Sequence, residues 1–235
     1  MKPIVGIDLG TTNSEVAIIR EGRPFVILKV ATSLDGRIAA GPGKRTRLTS
    51  GRALTHAHYA RAQVDAIAVG SETILVDDPL LTPREVYRER PLTRVVFDRR
   101  LRTPVTARLL STLPAGPVII LTTPESATSA HADALRRAGS SVIPVARPGI
   151  GAAMSMLPGL DIQSLVLEGG ALVQRAAWDE GVVDYVQLYV APVWLGEEAV
   201  PLLAGCTFSP MSLIERKIDQ LGPDVLIEGY VHRPH

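Results

Sequence analysis

Lys29 is the one charge inside the apolar run Phe25, Val26, Ile27, Leu28, Val30 and Ala31, the pattern of a central strand covered on both faces. A buried ammonium without a partner is strongly unfavourable, so Lys29 is expected to meet an anion, either a bound ligand or a carboxylate in a structural ion pair. A lysine that reaches solvent from an edge strand is the third arrangement. Arg61 poses the same question on a helix, because it falls on the stripe of Leu54, Ala57 and Val64, four residues after Ala57 and three before Val64. An arginine on an inward face needs an anion, unless its stem packs and its head reaches water. Glu168, Gly169 and Gly170 follow an apolar run and precede a helical one, an order that lets backbone amides approach a pyrophosphate. Arg99 and Arg100 close another apolar run, where they suit the 2′-phosphate of a dinucleotide, Asp98 alone would suit a ribose hydroxyl, and a solvated basic turn is the alternative. Asp77 and Asp78 before Pro79 have the types to bind a cation, to act as acid and base, or to cap a turn.

Other residues exclude chemistry. His56 and His58, two apart on a helix, point about 200° from one another, so they are expected to pack or face solvent rather than share a metal. Cys206 is the single cysteine, which leaves neither an internal disulfide nor a thiolate metal site and fits a reducing compartment. The net charge of +1 argues against general polyanion or nucleic-acid binding. With 46% hydrophobic and 21% charged residues the composition is that of a soluble globular protein, and no apolar run has the length of a membrane span. The N-terminus lacks the layout of a secretory signal, so the expected location is cytoplasmic, away from membranes.

These residues must be held by an α/β framework of 235 residues built from Val, Leu, Ile and Ala, since aromatics are only 4%. A helix is expected to begin at the N-cap Ser50 and run to about Val64, with strands over 66–70, 93–97, 117–121, 141–145 and 163–167. Helices are expected over 125–138, closed by Gly139, and over 171–178. This alternation implies right-handed crossovers and a mostly parallel sheet with helices on both faces. Strand patterns over 182–191, 212–218 and 224–232, joined without long helices, imply an antiparallel C-terminal part, with 163–167 the last parallel strand. Residues 41–47, GPGKRTR, form a basic glycine-rich loop.

The segments RPFVILKVATSLDGRIA, LTS, RAQVDAIAVGSETILVDDPLLTPR and LVLEGGALVQ, in that order from about Arg23 to the C-terminus, resemble the reductase domain of riboflavin biosynthesis, which is dihydrofolate-reductase-like. The resemblance implies an NADPH-dependent reductase of a phosphoribosylamino-pyrimidine, with hydride transfer to the ribosyl C1′. By position it implies Lys29 and Glu168 as catalytic residues, with Arg61, Leu81 and Arg84 at the substrate and the arginines at its phosphate. Ala31, Arg47, Thr73, Asp77, Arg99, Gly169, Gly170, Ala171 and Leu172 fall on cofactor positions. The family commonly has tryptophan where Arg47 stands and serine where Arg45 and Arg99 stand, so cofactor contacts there are expected to differ. A homodimer is implied as well. With one cysteine the chain has no deaminase zinc motif, so a separate deaminase or an already deaminated substrate is expected.

Residues 1–22, MKPIVGIDLGTTNSEVAIIREG, resemble the first phosphate-binding hairpin of DnaK-type chaperones, a likeness that stops at Gly22. Asp8, Thr11, Thr12 and Asn13 have the types for a metal-nucleotide contact but lack the two lobes that hold a nucleotide. The segment is therefore expected to be an extension outside the reductase domain of residues 23–235: an added edge strand, a fusion or a misread start. Two alternatives accompany the reductase reading: a related oxidoreductase with another heterocyclic substrate, and an adaptor that uses the hairpin.

Overall fold

The structure is a computed structural model that describes residues 4–7, 15–18, 22–82, 88, 90–206 and 208–233. Asp8, Thr11, Thr12, Asn13 and Arg84 lie outside the described residues. Strands β1 (Ile4–Ile7) and β2 (Glu15–Ile18) pair antiparallel in a sheet of their own. The strand that carries Lys29 is β3 (Phe25–Thr32), and a short β4 (Arg37–Ala39) follows it. Then come α1 (Gly51–Ala62), β5 (Ala66–Gly70), α2 (Ser71–Asp77), β6 (Thr93–Phe97) and β7 (Val118–Thr122). Next are α3 (Pro124–Ala127), α4 (Ala130–Arg137), β8 (Ser141–Pro144), α5 (Ile150–Met154), β9 (Ser164–Gly169), α6 (Ala171–Asp179) and β10 (Tyr185–Val190). The chain ends with β11 (Val200–Pro201), β12 (Ile214–Leu221) and β13 (Asp224–Tyr230).

The main sheet has nine strands in the order β12-β13-β10-β3-β9-β5-β6-β7-β8, parallel from β10 to β8, with β13 and β12 antiparallel at one edge. The antiparallel part therefore begins one strand later than expected: α6 carries the chain from β9 back over the sheet, which delivers β10 parallel to β3. The expected helix over 125–138 is two helices. Ser129 leaves the helical backbone and caps α4 by accepting from the Ala132 N–H, which breaks the run after Ala127.

Alternate residues of the parallel strands face two cores. Phe25, Ile27, Ile67, Val69, Val166 and Tyr185 point to one, Val26, Leu28, Ala68, Leu165, Leu167 and Val186 to the other. Carboxylates fix the register at the amino edge. Asp184 binds Arg23 through two hydrogen bonds of 2.6 and 2.9 Å and accepts from the Val26 N–H, and Asp65 accepts from the N–H groups of Gln163 and Ser164. Arg94 is a fully buried cation on β6 that donates to the carbonyls of Leu109, Thr112 and Gly116 and to the Thr112 hydroxyl, pinning the turn of residues 108–115 to the sheet. The connection leaving β3 crosses one face through α1, and the one leaving its neighbour β9 crosses the other through α6. Their carboxyl ends are thus a switch point, where an open α/β sheet forms its ligand crevice.

Candidate active site

At that crevice Glu168 leaves the ladder. Ala68 pairs with Leu167 and Val69 with Gly169, so Glu168 is an extra residue between them, a bulge against β5, while its carboxylate stays on the Val166 face toward Lys29 and α1. The displaced Glu168 carbonyl accepts from the Gln174 amide of α6 at 3.3 Å. Arg61, near the end of α1, donates Nε to one carboxylate oxygen of Glu168 at 2.5 Å and Nη2 to the other at 2.7 Å. The Lys29 Nζ stands 3.9 Å from Glu168 and 5.3 Å from the centre of the Tyr189 ring, with 14% of its side chain exposed. The anion that Lys29 and Arg61 both required is thus one carboxylate.

The electrostatics follow from the burial. Burial alone would raise the Glu168 carboxyl, but the charges of Arg61 and Lys29 and the Arg61 hydrogen bonds override it and hold it at about 2. Burial pulls the Lys29 ammonium below its ordinary value, opposed by Glu168 and reinforced by Arg61. Burial together with the charges of Glu168 and Glu228 pushes the Tyr189 phenol up, so it stays protonated and can donate to His56 Nδ1 at 2.8 Å. Both histidines pack, as expected, His56 on the neutral Tyr189 and His58 on a charged neighbour, its Nδ1 3.2 Å from Arg61 Nη1. The inward stripe of α1 is Ala53, Ala57 and Ala60, with Leu54 only half-buried, because the small residues let the helix settle on Tyr189.

The expected cofactor positions line the same edge. A Cβ on Gly169 would sit 2.5 Å from Thr73 Oγ1, and Gly170 has φ +87°, so only glycines let the start of α2 press against the start of α6. Neither helix start has a side-chain cap, which leaves first-turn amides such as those of Ala171 and Leu172 turned to the crevice. Leu172 is 83% exposed at its mouth, and Ala31 lies near the end of β3. Asp77, at the end of α2, meets Arg45 of the basic loop at 3.8 Å, and Arg47 is exposed on that loop. Leu81 has φ +54° and packs its side chain into the core, 7% exposed.

Further along the edge, Arg99 and Arg100 line a groove of about 560 Å³ with Thr123, Ser126, His131 and the carboxylate of Glu125, beyond the ends of β6 and β7. Asp98 is buried and gives one oxygen to the N–H and hydroxyl of Thr103, which removes it as a ribose ligand. Tyr189 and Gln174 escaped the sequence reading. The polar Gln187 between Tyr185 and Tyr189 in an otherwise apolar strand was the available signal of a special face.

The family model described as the RibD C-terminal domain matches residues 24–227. The riboflavin biosynthesis protein RibD of Aquifex aeolicus (strain VF5) is 29% identical over 233 residues, 95% of this chain and 64% of that protein. The 2,5-diamino-6-ribosylamino-4(3H)-pyrimidinone 5′-phosphate reductase of Methanothermobacter thermautotrophicus is 32% identical over 214 residues, 88% of this chain and 97% of the relative. Among solved structures, Acinetobacter baumannii RibD superposes with a TM-score of 0.74 at 26% identity, covering 90% of this chain and 59% of that one. Against the RibD proteins, then, the chain spans only about 64% and 59% of their length. Among the described residues no group of three or more metal-ligating side chains forms, and no helix is long and apolar enough to cross a membrane.

Proposed function

The chain belongs to the RibD C-terminal domain family, and from that premise we propose that it is an NADPH-dependent reductase of a phosphoribosylamino-pyrimidine, similar to the 5-amino-6-(5-phosphoribosylamino)uracil reductase of riboflavin biosynthesis. The observation that carries this reading is the convergence of Lys29, Arg61 and Glu168 at the switch point, beside two uncapped helix starts.

When bound, the nicotinamide supplies a hydride. The chain holds the sugar between Lys29 and Glu168. C1′ gains its hydrogen as hydride, O4′ keeps the electron pair of the broken C1′–O4′ bond, and Lys29 hands that oxygen a proton. Glu168, held ionised by Arg61, stabilises the positive charge that builds at C1′. Arg61 presents its remaining nitrogen, Nη1, to the substrate phosphate, in concert with Arg84, while Leu81 contributes its backbone near the base.

The residues present fit the cofactor. Amides of Ala171 and Leu172, brought to the edge by Gly169 and Gly170 against Thr73, suit its pyrophosphate. Ala31, Asp77 and Arg47 would contact the bound cofactor from the β3 and α2 side, and Arg99 with Arg100 would suit its 2′-phosphate. From β9 to β7 is three strand spacings, roughly 14 Å, a span an extended dinucleotide bridges.

A second reading concerns the pyrimidine alone. The Methanothermobacter relative, matched over 97% of its length, is named for a substrate that keeps its 2-amino group, which favours reduction before deamination here. NADPH oxidation with both phosphorylated pyrimidines and their dephosphorylated forms tests both readings. Turnover of one phosphorylated compound is expected, and none with any of the four would remove the reductase. A homodimer, a cytoplasmic location and residues 1–22 as an extension outside the reductase domain of 23–235 belong to the same proposal. The separate β1–β2 sheet supports the last of these.

A further inference from the structure

Gln187 stands opposite Lys29 in the parallel ladder between β10 and β3, and opposite Glu228 in the antiparallel ladder between β10 and β13. Residues opposite one another share a sheet face, so the three side chains form one row beneath α1. Gln187 and Glu228 are both buried. The Gln187 amide nitrogen donates to Glu228 at 3.2 Å, whereas its buried oxygen has no hydrogen-bond partner. Burial raises the Glu228 carboxyl, opposed by the Gln187 hydrogen bond and by Lys217; in its ionised form it only accepts, so it draws the amide nitrogen toward β13 and leaves the oxygen turned away from it. On the other side of Gln187, Lys29 lies 3.9 Å from Glu168, beyond hydrogen-bond length. A buried acceptor without a donor therefore adjoins an ammonium whose nearest anion is engaged by Arg61.

We propose that Gln187, aimed by Glu228, is a positioning residue for Lys29: its amide oxygen, without a partner in this structure, becomes the second acceptor for the ammonium when Glu168 serves Arg61 and the substrate, and directs it into the crevice. The inference rests on the reading of Lys29 as the proton donor of the reductase. The other ionisable groups facing this row are Glu168 of β9, Arg61 and His58 of α1, Tyr185 and Tyr189 of β10, and Lys217 and Asp219 of β12.

The test reads the lysine itself. The chain has four lysines, Lys2, Lys29, Lys44 and Lys217, so lysine enriched with ¹³C at Cε gives a small spectrum in the cofactor-free protein, and Lys29→Met assigns the signal. Gln187→Met, which keeps the length and removes the oxygen, is expected to lower the Lys29 titration midpoint by about one pH unit, a tenfold loss of proton affinity. Glu228→Gln is expected to lower it in the wild-type background and by much less beside Gln187→Met, the coupling of a residue that acts through another. An unchanged midpoint in folded Gln187→Met overturns the proposal. Should that variant fail to fold, Gln187→Leu, which also lacks the oxygen, decides by the same criterion. Equal Glu228→Gln shifts in both backgrounds overturn the aiming role. Because the readout is not turnover, failure of the reductase reading shows separately, as a wild-type protein that oxidises no NADPH.

Discussion

Arg61 spends two nitrogens on Glu168, so the pair stands or falls together. Removing one member of a buried ion pair leaves the other charge unpaired, and Arg61→Ala is expected to destabilise the fold by about 3–5 kcal/mol in urea denaturation. A loss near zero would mean that Glu168 is solvated. The pH dependence has a definite sign. The folded Glu168 carboxyl, at about 2, lies below its ordinary 4.5, so its stabilisation is complete above 4.5 and disappears as pH falls toward 2. Arg61→Ala should flatten that acid slope. Lys29→Met should abolish most turnover with the fold intact, and the basic limb of the wild-type kcat profile should fall below the ordinary lysine value of 10.5. An active Lys29→Met variant would make the lysine structural. Lys29 and Arg61 were legible in the sequence as charges on apolar periodicities. That they share one anion was not, because Glu168 lies 107 positions beyond Arg61.

The glycine turn and the bulge are where the elements set function. Gly169→Ala would drive a methyl group into Thr73, and the expected result is at least roughly tenfold weaker NADPH binding by fluorescence titration. Thr73→Ala in the same chain removes the hydroxyl and methyl that collide and should restore most of that affinity. No recovery would place the glycine's role elsewhere. Replacing Arg99 and Arg100 together by Ala should raise KM for NADPH while leaving KM for NADH unchanged, and equal changes for both cofactors would remove the groove from the 2′-phosphate site. The strand before Gly169 was readable from a continuous apolar run, and the helix after it from its place behind the glycines. The bulge was not, since an extra residue at Glu168 leaves no mark on alternation and shows only against the Ala68 and Val69 of a neighbouring strand. The break between α3 and α4 escaped for a related reason: the alanines kept the helical period across Thr128 and Ser129.

At the scale of the molecule, the mostly parallel sheet followed from alternating strand and helix patterns, but strand order did not. Order is fixed by distant contacts such as Asp184 with Arg23, which sets β3 beside β10, and these have no local signature. That order makes the carboxyl ends of β3 and β9 the switch point and sets the triad of Lys29, Arg61 and Glu168 there. Since β1 and β2 form a separate sheet, deletion of residues 1–22 should leave kcat and KM unchanged, and lost turnover would tie the hairpin to the site. The most direct measurement follows the hydrogen itself: NADPH carrying deuterium at C4, in each of the two epimers, is incubated with the phosphoribosylamino-pyrimidine and the product is examined by NMR. One deuterium at C1′ of a ribityl chain, from one epimer only and lost with Lys29→Met, is the predicted result; a reaction that leaves C1′ unlabelled, or no product at all, contradicts it.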